Sequence, residues 1–178
     1  MPHPSKPYRD YADLLHELFP WKMQKLSVNA GFSCPNRDGS IARGGCSYCN
    51  NASFSPAYCD PADTVTAQLE KGKAFFGKKY ADMHYLAYFQ TYTNTLAGNR
   101  QLLRLYNEAL SVERIEGIVI GTRPDCIPAP LLDALADINR PHRGRVMIEL
   151  GAESSHDTTL ERVNRCHSWN DTAEAVRA

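Results

Sequence analysis

Tyr85-Leu-Ala-Tyr-Phe-Gln90, Ile115-Glu-Gly-Ile-Val-Ile-Gly-Thr122 and Arg145-Val-Met-Ile-Glu-Leu150 are three short strand-like runs whose starts fall 30 residues apart. Between the first two, Asn99 caps a helix that uses Leu102, Leu103, Tyr106 and Leu110; between the second and third, Pro130 opens one that uses Leu131, Leu135 and Ile138. A strand, a helix and a strand at this spacing form a βαβ unit, whose right-handed crossover leaves its strands parallel.

The same rhythm extends in both directions. Residues 25–30 alternate Leu26, Val28 and Ala30 with polar neighbours and stop at Gly31, which predicts a first short strand. Asp63 caps a helix running to about residue 80, with Val65, Leu69, Phe75 and Phe76 on its apolar side. Residues 157–165 and 170–178 read as further helices. The expected fold is α/β: one domain over residues 1–178, a partial (β/α) barrel with parallel strands and outer helices. Since a complete eightfold barrel takes roughly 200 residues or more, the barrel is expected to be incomplete at its C-terminus, stopping after the fourth βα unit. Such sheets gather their strand C-termini, and with them their ligand sites, along one edge.

A chain of 178 residues with 43% hydrophobic content can bury one core without staples. Its 20 basic and 20 acidic side chains cancel, so no overall field draws it to a polyanion, although a local basic groove is compatible with that balance. Residues 1–10 hold three prolines and no apolar signal segment, and no run of about 18 apolar residues occurs anywhere. A soluble, cytoplasmic protein without membrane attachment is expected. In a reducing compartment, clustered thiols bind metal or do redox chemistry more often than they pair.

The thiols cluster in residues 31–61, an aperiodic stretch of Gly, Ser, Asn, Pro and Cys that leaves the sheet edge directly after the first strand. Cys34, Cys46 and Cys49 read C-x11-C-x2-C: the close pair grips one metal centre and the distant thiol closes it from another direction. Three thiolates on a four-iron cluster leave one iron open to a small molecule bearing an amino and a carboxylate group. From spacing alone a zinc site stays open as well, with Cys59 as the fourth ligand of a closed tetrahedral set.

The runs Asn29-Ala-Gly-Phe-Ser-Cys34-Pro-Asn-Arg-Asp-Gly39 and Gly44-Gly-Cys46-Ser-Tyr-Cys49 resemble the radical S-adenosylmethionine (SAM) proteins of the YhcC-like group, relatives of the elongator catalytic subunit. The likeness continues through Tyr88-Phe-Gln-Thr-Tyr-Thr-Asn-Thr95, Ile120-Gly-Thr-Arg-Pro-Asp-Cys126, Glu149-Leu-Gly-Ala-Glu-Ser154, His156-Asp157 and Asn164-Arg165, and so spans nearly the whole chain. It implies a [4Fe-4S] cluster on Cys34, Cys46 and Cys49, with SAM on the fourth iron and Tyr48 beside the adenine. It also implies a reductant such as flavodoxin or ferredoxin, and a 5′-deoxyadenosyl radical that takes hydrogen from a substrate. That substrate is unidentified; RNA is compatible with the elongator relationship. The alternative from another class is a non-catalytic zinc-binding module on Cys34, Cys46, Cys49 and Cys59.

By the same resemblance, Gln90, Thr93 and Asn94 at the end of the second strand bind the methionine end of SAM, though a polar strand-end loop is the plainer reading. Glu149 and Glu153 flank the end of the fourth strand, where one of them accepts hydrogen bonds from ribose hydroxyls or the amino group. A carboxylate favoured by a helix dipole is the plainer reading of Glu153. Arg123 and Asp125 bind substrate or SAM, or pair with each other. Cys126 reads as a small buried hydrophobe, Cys59 as a loop thiol or cluster partner, and Cys166 stands where an Asn-Arg-Gly-His run would carry glycine. His84, His142, His156 and His167 show no i, i+4 pair, and no phosphate-binding glycine loop or Gly-x-Ser-x-Gly elbow occurs.

Overall fold

Four apolar runs pair side by side: β1 (Met23–Val28), β2 (His84–Phe89), β3 (Ile115–Thr122) and β4 (Val146–Leu150) make one parallel sheet in the order β1-β2-β3-β4. The structure, a computed structural model, describes residues 7–50, 53, 55–77 and 82–178. Strand residues alternate between the two faces. Leu26, Val28, Ala87, Phe89, Ile118 and Ile120 point to one face. There they pack against α3 (Val65–Phe76) through Leu69, α4 (Asn99–Leu110) through Leu102 and Tyr106, and α5 (Ala129–Asn139) through Leu131 and Leu135. Sequential strand order with all three crossover helices on one face is the winding of a barrel sector; a doubly wound sheet reverses its order. The chain is thus a partial α/β fold.

The opposite face carries a smaller cluster of Leu86, Val119 and Phe19, flanked by Leu15, Leu18, Met23 and Met147. Leu15 and Leu18 come from α1 (Tyr11–Leu18), an element the sequence reading lacks. Its eight residues are too few to show an apolar period, and none of them is fully buried. What starts it is a reciprocal Asp10/Asp13 capping box, with Asp13 N–H donating to Asp10 Oδ1 at 2.9 Å and Asp10 N–H to Asp13 Oδ2 at 3.1 Å.

Element ends differ from the sequence reading for identifiable reasons. β1 stops at Val28, not Ala30, because the buried amide of Gln68 takes the place of a pairing strand: Asn29 N–H donates to its Oε1 at 2.8 Å, and its Nε2 donates to the Asn29 carbonyl at 2.9 Å. Thr64 caps α3 by accepting from Ala67 N–H, while Asp63 pairs with Lys71. Phe75, expected on the apolar side, is 68% exposed, and the expected end near residue 80 lies outside the described residues. α4 starts at Asn99 with Gly98 as cap; Leu102, Leu105, Tyr106 and Ala109 are buried, Leu110 packs partly buried against the same core, and Leu103 is only partly buried. β3 has the expected bounds. Within it, pairing with β2 skips Glu116, and a Cβ on Gly117 would meet the Gly144 and Arg145 carbonyls at 2.9 Å, so only glycine lets the approach to β4 pass this close. α6 (Asp157–Arg162) is shorter than expected, and α7 (Trp169–Arg177) has the expected length but starts one residue earlier, opened by a Ser168/Asp171 capping box.

Tyr106 fastens the helix layer to the functional edge, its fully buried hydroxyl donating to the Asn94 carbonyl at 2.6 Å. Tyr106→Phe leaves that carbonyl without its donor and is expected to cost about 1–2 kcal/mol, read as a lower urea midpoint at unchanged slope. An unchanged midpoint would show that the bond contributes nothing.

Candidate functional site

The cysteine loop begins with Cys34, which precedes the four-residue helix α2 (Pro35–Asp38) and accepts the Arg37 and Asp38 N–H groups at its carbonyl, at 2.7 and 3.1 Å. The chain then turns back through Gly44 and Gly45, both in the left-handed region. Gly45 N–H donates to the Asn36 carbonyl at 2.8 Å, and a Cβ there would stand 2.8 Å from an Arg37 guanidinium nitrogen. Glycine therefore serves both the backbone conformation and the close approach. A tight turn follows, with Cys49 N–H donating to the Cys46 carbonyl at 3.0 Å.

This irregular loop is held by the segment after α6. Asn36, fully buried, donates from Nδ2 to the carbonyls of Asn164 (2.6 Å) and Arg165 (2.9 Å), and Asn164 returns a bond from its own Nδ2 to the Gly45 carbonyl at 2.9 Å. The Arg165 guanidinium donates to the Gly151 carbonyl (2.7 Å) and to His167 Nε2 (2.9 Å). Arg123, only 2% exposed, donates to the Arg165 carbonyl at 3.0 Å and forms a two-pronged pair with Asp125 at 2.8 and 2.9 Å. The two residues pair with each other, which was one of their two sequence readings. Two N–H groups reach one sulfur: Asn36 Nδ2 lies 3.6 Å, and Arg165 Nη1 3.7 Å, from Cys46 Sγ.

Between this loop and the C-terminal ends of β2, β3 and β4 lies a cavity of about 320 Å³. Cys34, Cys46 and Cys49 all line it, and so do Tyr48, Gln90, Thr93, Glu149 and Glu153. Asn94, expected with them, is not a lining residue; it is fully buried, and its Nδ2 donates to the Gly121 carbonyl at 2.8 Å. Glu149 is paired with Lys25, whose ammonium lies over the rings of Tyr11 (4.5 Å) and Tyr88 (4.4 Å). Glu153 lies 3.8 Å from Arg165 and has a positive φ of 62°. Sequence reasoning missed Lys25, Asn36 and Arg37; Asn36 and Arg37 stood inside the quoted cysteine motif, whereas nothing local marks Lys25.

Burial disfavours the ionised forms of Tyr11, Tyr48 and Tyr88. Burial, then the charge of Glu149, pushes Tyr11 up to about 12. Burial raises Tyr88 and Tyr48 further, with Glu149 adding to Tyr88 and Arg165 opposing the rise at Tyr48. The remaining thiols stand apart. Cys59 donates to the Ser27 carbonyl at 3.0 Å and does not line the cavity, Cys126 is half-buried beside Asp125, and Cys166 is exposed. None of the six cysteines is in a disulfide.

Among the described residues, no three His, Cys, Asp or Glu side chains stand close enough to form a ready-made metal set. The surroundings of the three thiols nonetheless fit an anionic sulfur-ligated group. The Arg165 guanidinium donates to Cys46, where a neutral thiol needs no cation, and Thr93 Oγ1, buried in the cavity lining, has no partner among the described residues. Among the described residues no helix is long and apolar enough to cross a membrane.

Fold and site together define an α/β protein with a cysteine-lined cavity on the C-terminal edge of a parallel sheet. The chain is 42% identical to the YhcC protein of Escherichia coli (strain K12) over 148 residues, 83% of this chain and 46% of that one. It is 37% identical to the uncharacterized YtqA of Bacillus subtilis over 162 residues (91% and 50%), and 31% identical to an uncharacterized protein of Methanocaldococcus jannaschii over 172 residues (96% and 52%). These likenesses support a YhcC-like family, and the chain spans about half the length of the relatives it matches. No protein-family model matches it.

The thiols outside the cavity differ in backbone strain and in burial. Cys166 has φ 59°, and left-handed backbone costs a residue bearing a side chain about 1–2 kcal/mol. Glycine returns about 0.5–1 kcal/mol of that through its freer unfolded chain, so Cys166→Gly should raise the melting temperature by a few degrees; a lower one would mean that the sulfur's contacts with Asn164 outweigh the strain. Burial pushes Cys59 and Cys126 from 9.0 up to about 11. A thiol whose folded value lies above its unfolded one supports folding below the unfolded value and withdraws that support as pH climbs through the folded one. Stability should therefore fall between about pH 9 and pH 11. Iodoacetamide at pH 8 should label Cys166 well before Cys59 and Cys126, as read by mass spectrometry; equal rates would contradict the burial.

Proposed function

We propose that this chain is the core of a radical SAM enzyme, a partial (β/α) barrel of that type acting in the cytoplasm, with Cys34, Cys46 and Cys49 as ligands of a [4Fe-4S] cluster. The observation that carries the reading is the meeting of those three cysteines on one cavity, at the sheet edge where parallel α/β folds bind ligands, with N–H donors aimed at the Cys46 sulfur.

When bound, the cluster and SAM would supply one-electron cleavage of the sulfonium, giving methionine and a 5′-deoxyadenosyl radical able to take hydrogen from a substrate. The chain's own residues bind, orient and exclude water. Thr93 Oγ1 and the Gln90 amide offer a hydroxyl and an amide to the amino and carboxylate groups of the methionine end. Lys25 holds the Glu149 carboxylate at the β4 end, where it can accept from hydroxyl or amino groups. Tyr48, half exposed at the rim, offers a flat face to the adenine. A low-potential flavodoxin or ferredoxin is the proposed reductant; the substrate is unidentified, and RNA is compatible with the elongator relationship.

Anaerobic incubation with iron and sulfide should yield a brown chain with about four irons, and after reduction it should release 5′-deoxyadenosine from SAM. Cys46→Ala should lose the cluster, whereas Cys126→Ala should keep it. A colourless chain that binds zinc and takes up no iron would overturn the reading, as would equal loss of iron in both variants.

A further inference from the structure

Cys46 is 7% exposed, and two side-chain donors approach its sulfur: the neutral amide of Asn36 at 3.6 Å and the cationic guanidinium of Arg165 at 3.7 Å. Both donors are immobilised by other partners. Asn36 is held by the carbonyls of Asn164 and Arg165, and the Arg165 guanidinium by the Gly151 carbonyl and His167. Arg165 is itself mostly buried, so its charge acts across a medium of low dielectric and is screened little by solvent.

We propose that Arg165 is a positioning residue that makes Cys46 a hydrogen-bonded ligand of the cluster and sets the cluster's reduction potential. The inference rests on the cluster assignment above and adds to it the residue that tunes it. One electron from a low-potential reductant takes a [4Fe-4S] cluster from its 2+ to its 1+ form, and the extra negative charge is shared with the ligand sulfurs. A cation donating an N–H to one of those sulfurs stabilises the reduced form more than the oxidised one, which raises the potential. Loss of the Arg165 charge therefore makes the cluster harder to reduce.

The test is a redox titration of the anaerobically reconstituted 178-residue chain, with dithionite as titrant and the reduced cluster followed by electron paramagnetic resonance. Arg165→Gln and Arg165→Lys are compared with wild type at equal iron content, with Cys166→Gly as a neighbouring control. At a fixed potential, Arg165→Gln should lower the reduced-to-oxidised ratio about tenfold, a shift of about 59 mV to more negative values for a one-electron couple. Arg165→Lys, which keeps the charge, should recover part of the shift, and Cys166→Gly should show none. A purely structural Arg165 would lower iron content and leave the potential of the remaining clusters unmoved, which would overturn the proposal. If Arg165→Gln holds no iron, Arg165→Lys decides: an unchanged potential overturns the proposal and a negative shift supports it. A wild-type chain without a cluster overturns the underlying assignment and this inference together, whereas identical potentials in loaded wild type and variants overturn the inference alone.

Discussion

The site depends on one buried hydrogen-bond latch, in which Asn36 spans 128 residues of sequence to reach the Asn164 carbonyl and Asn164 reaches back to Gly45. The loop carrying Cys34, Cys46 and Cys49 has almost no regular structure of its own, so neither a helix nor a ladder fixes where its thiols stand. Ordering each backbone residue costs roughly 1–2 kcal/mol of entropy, and the loop must recover that from contacts with something already rigid. The latch supplies such contacts, and Thr93 adds another by donating its N–H to the Ser33 carbonyl at 3.1 Å. Among the described residues Asn36 Oδ1 is buried without a partner, a penalty of about 1–3 kcal/mol that the latch bonds must offset.

The strands and crossover helices were legible because their signals are local. Apolar runs and helical spacing are read within one window, and β3 came out with the observed bounds. The three cysteines, Tyr48, Gln90, Thr93, Glu149 and Glu153 were legible too, because each lies in a short run at a strand end or in the cysteine loop. What escaped the reading is pairing at a distance. Glu149 could be placed at the end of β4, but its partner Lys25 lies 124 residues away on β1, and no local pattern ties the two. Arg165 was visible only as half of an Asn-Arg pair, since its contact with Cys46 spans 119 residues. α1 escaped for the opposite reason: it is local, but too short to declare a period.

The inner face of the sheet shows how the cavity gets its floor. Toward the N-terminal ends of the strands, α1 covers Leu86, Val119 and Met147 with Leu15, Leu18 and Phe19, an apolar plug. Further along the same face the side chains turn polar, with Lys25 between two tyrosine rings and bonded to Glu149. A partly buried ion pair is weak evidence for stability, because the desolvation of two charges offsets most of their attraction. Its service here is orientation: the ammonium is held by two ring faces and can turn to few other acceptors, so the carboxylate it binds stays at the β4 end.

Strain is concentrated in the same place. Glu153, Asn164 and Cys166 all adopt left-handed backbone, and all three flank the latch or the cavity. Glycine would relieve each of them, yet Glu153 lines the cavity and Asn164 needs its amide to reach Gly45. At those two positions the side chain's work justifies the conformational cost, as is common where a site over-determines its backbone. Cys166 differs: its thiol is exposed, and among the described residues its hydrogen bonds run to its near neighbour Asn164. The left-handed turn therefore persists because the chain on either side demands it, with Arg165 anchored to Gly151 before it and Ser168 capping α7 after it. The residue type at 166 sets how stable the turn is, while the latch sets where it goes.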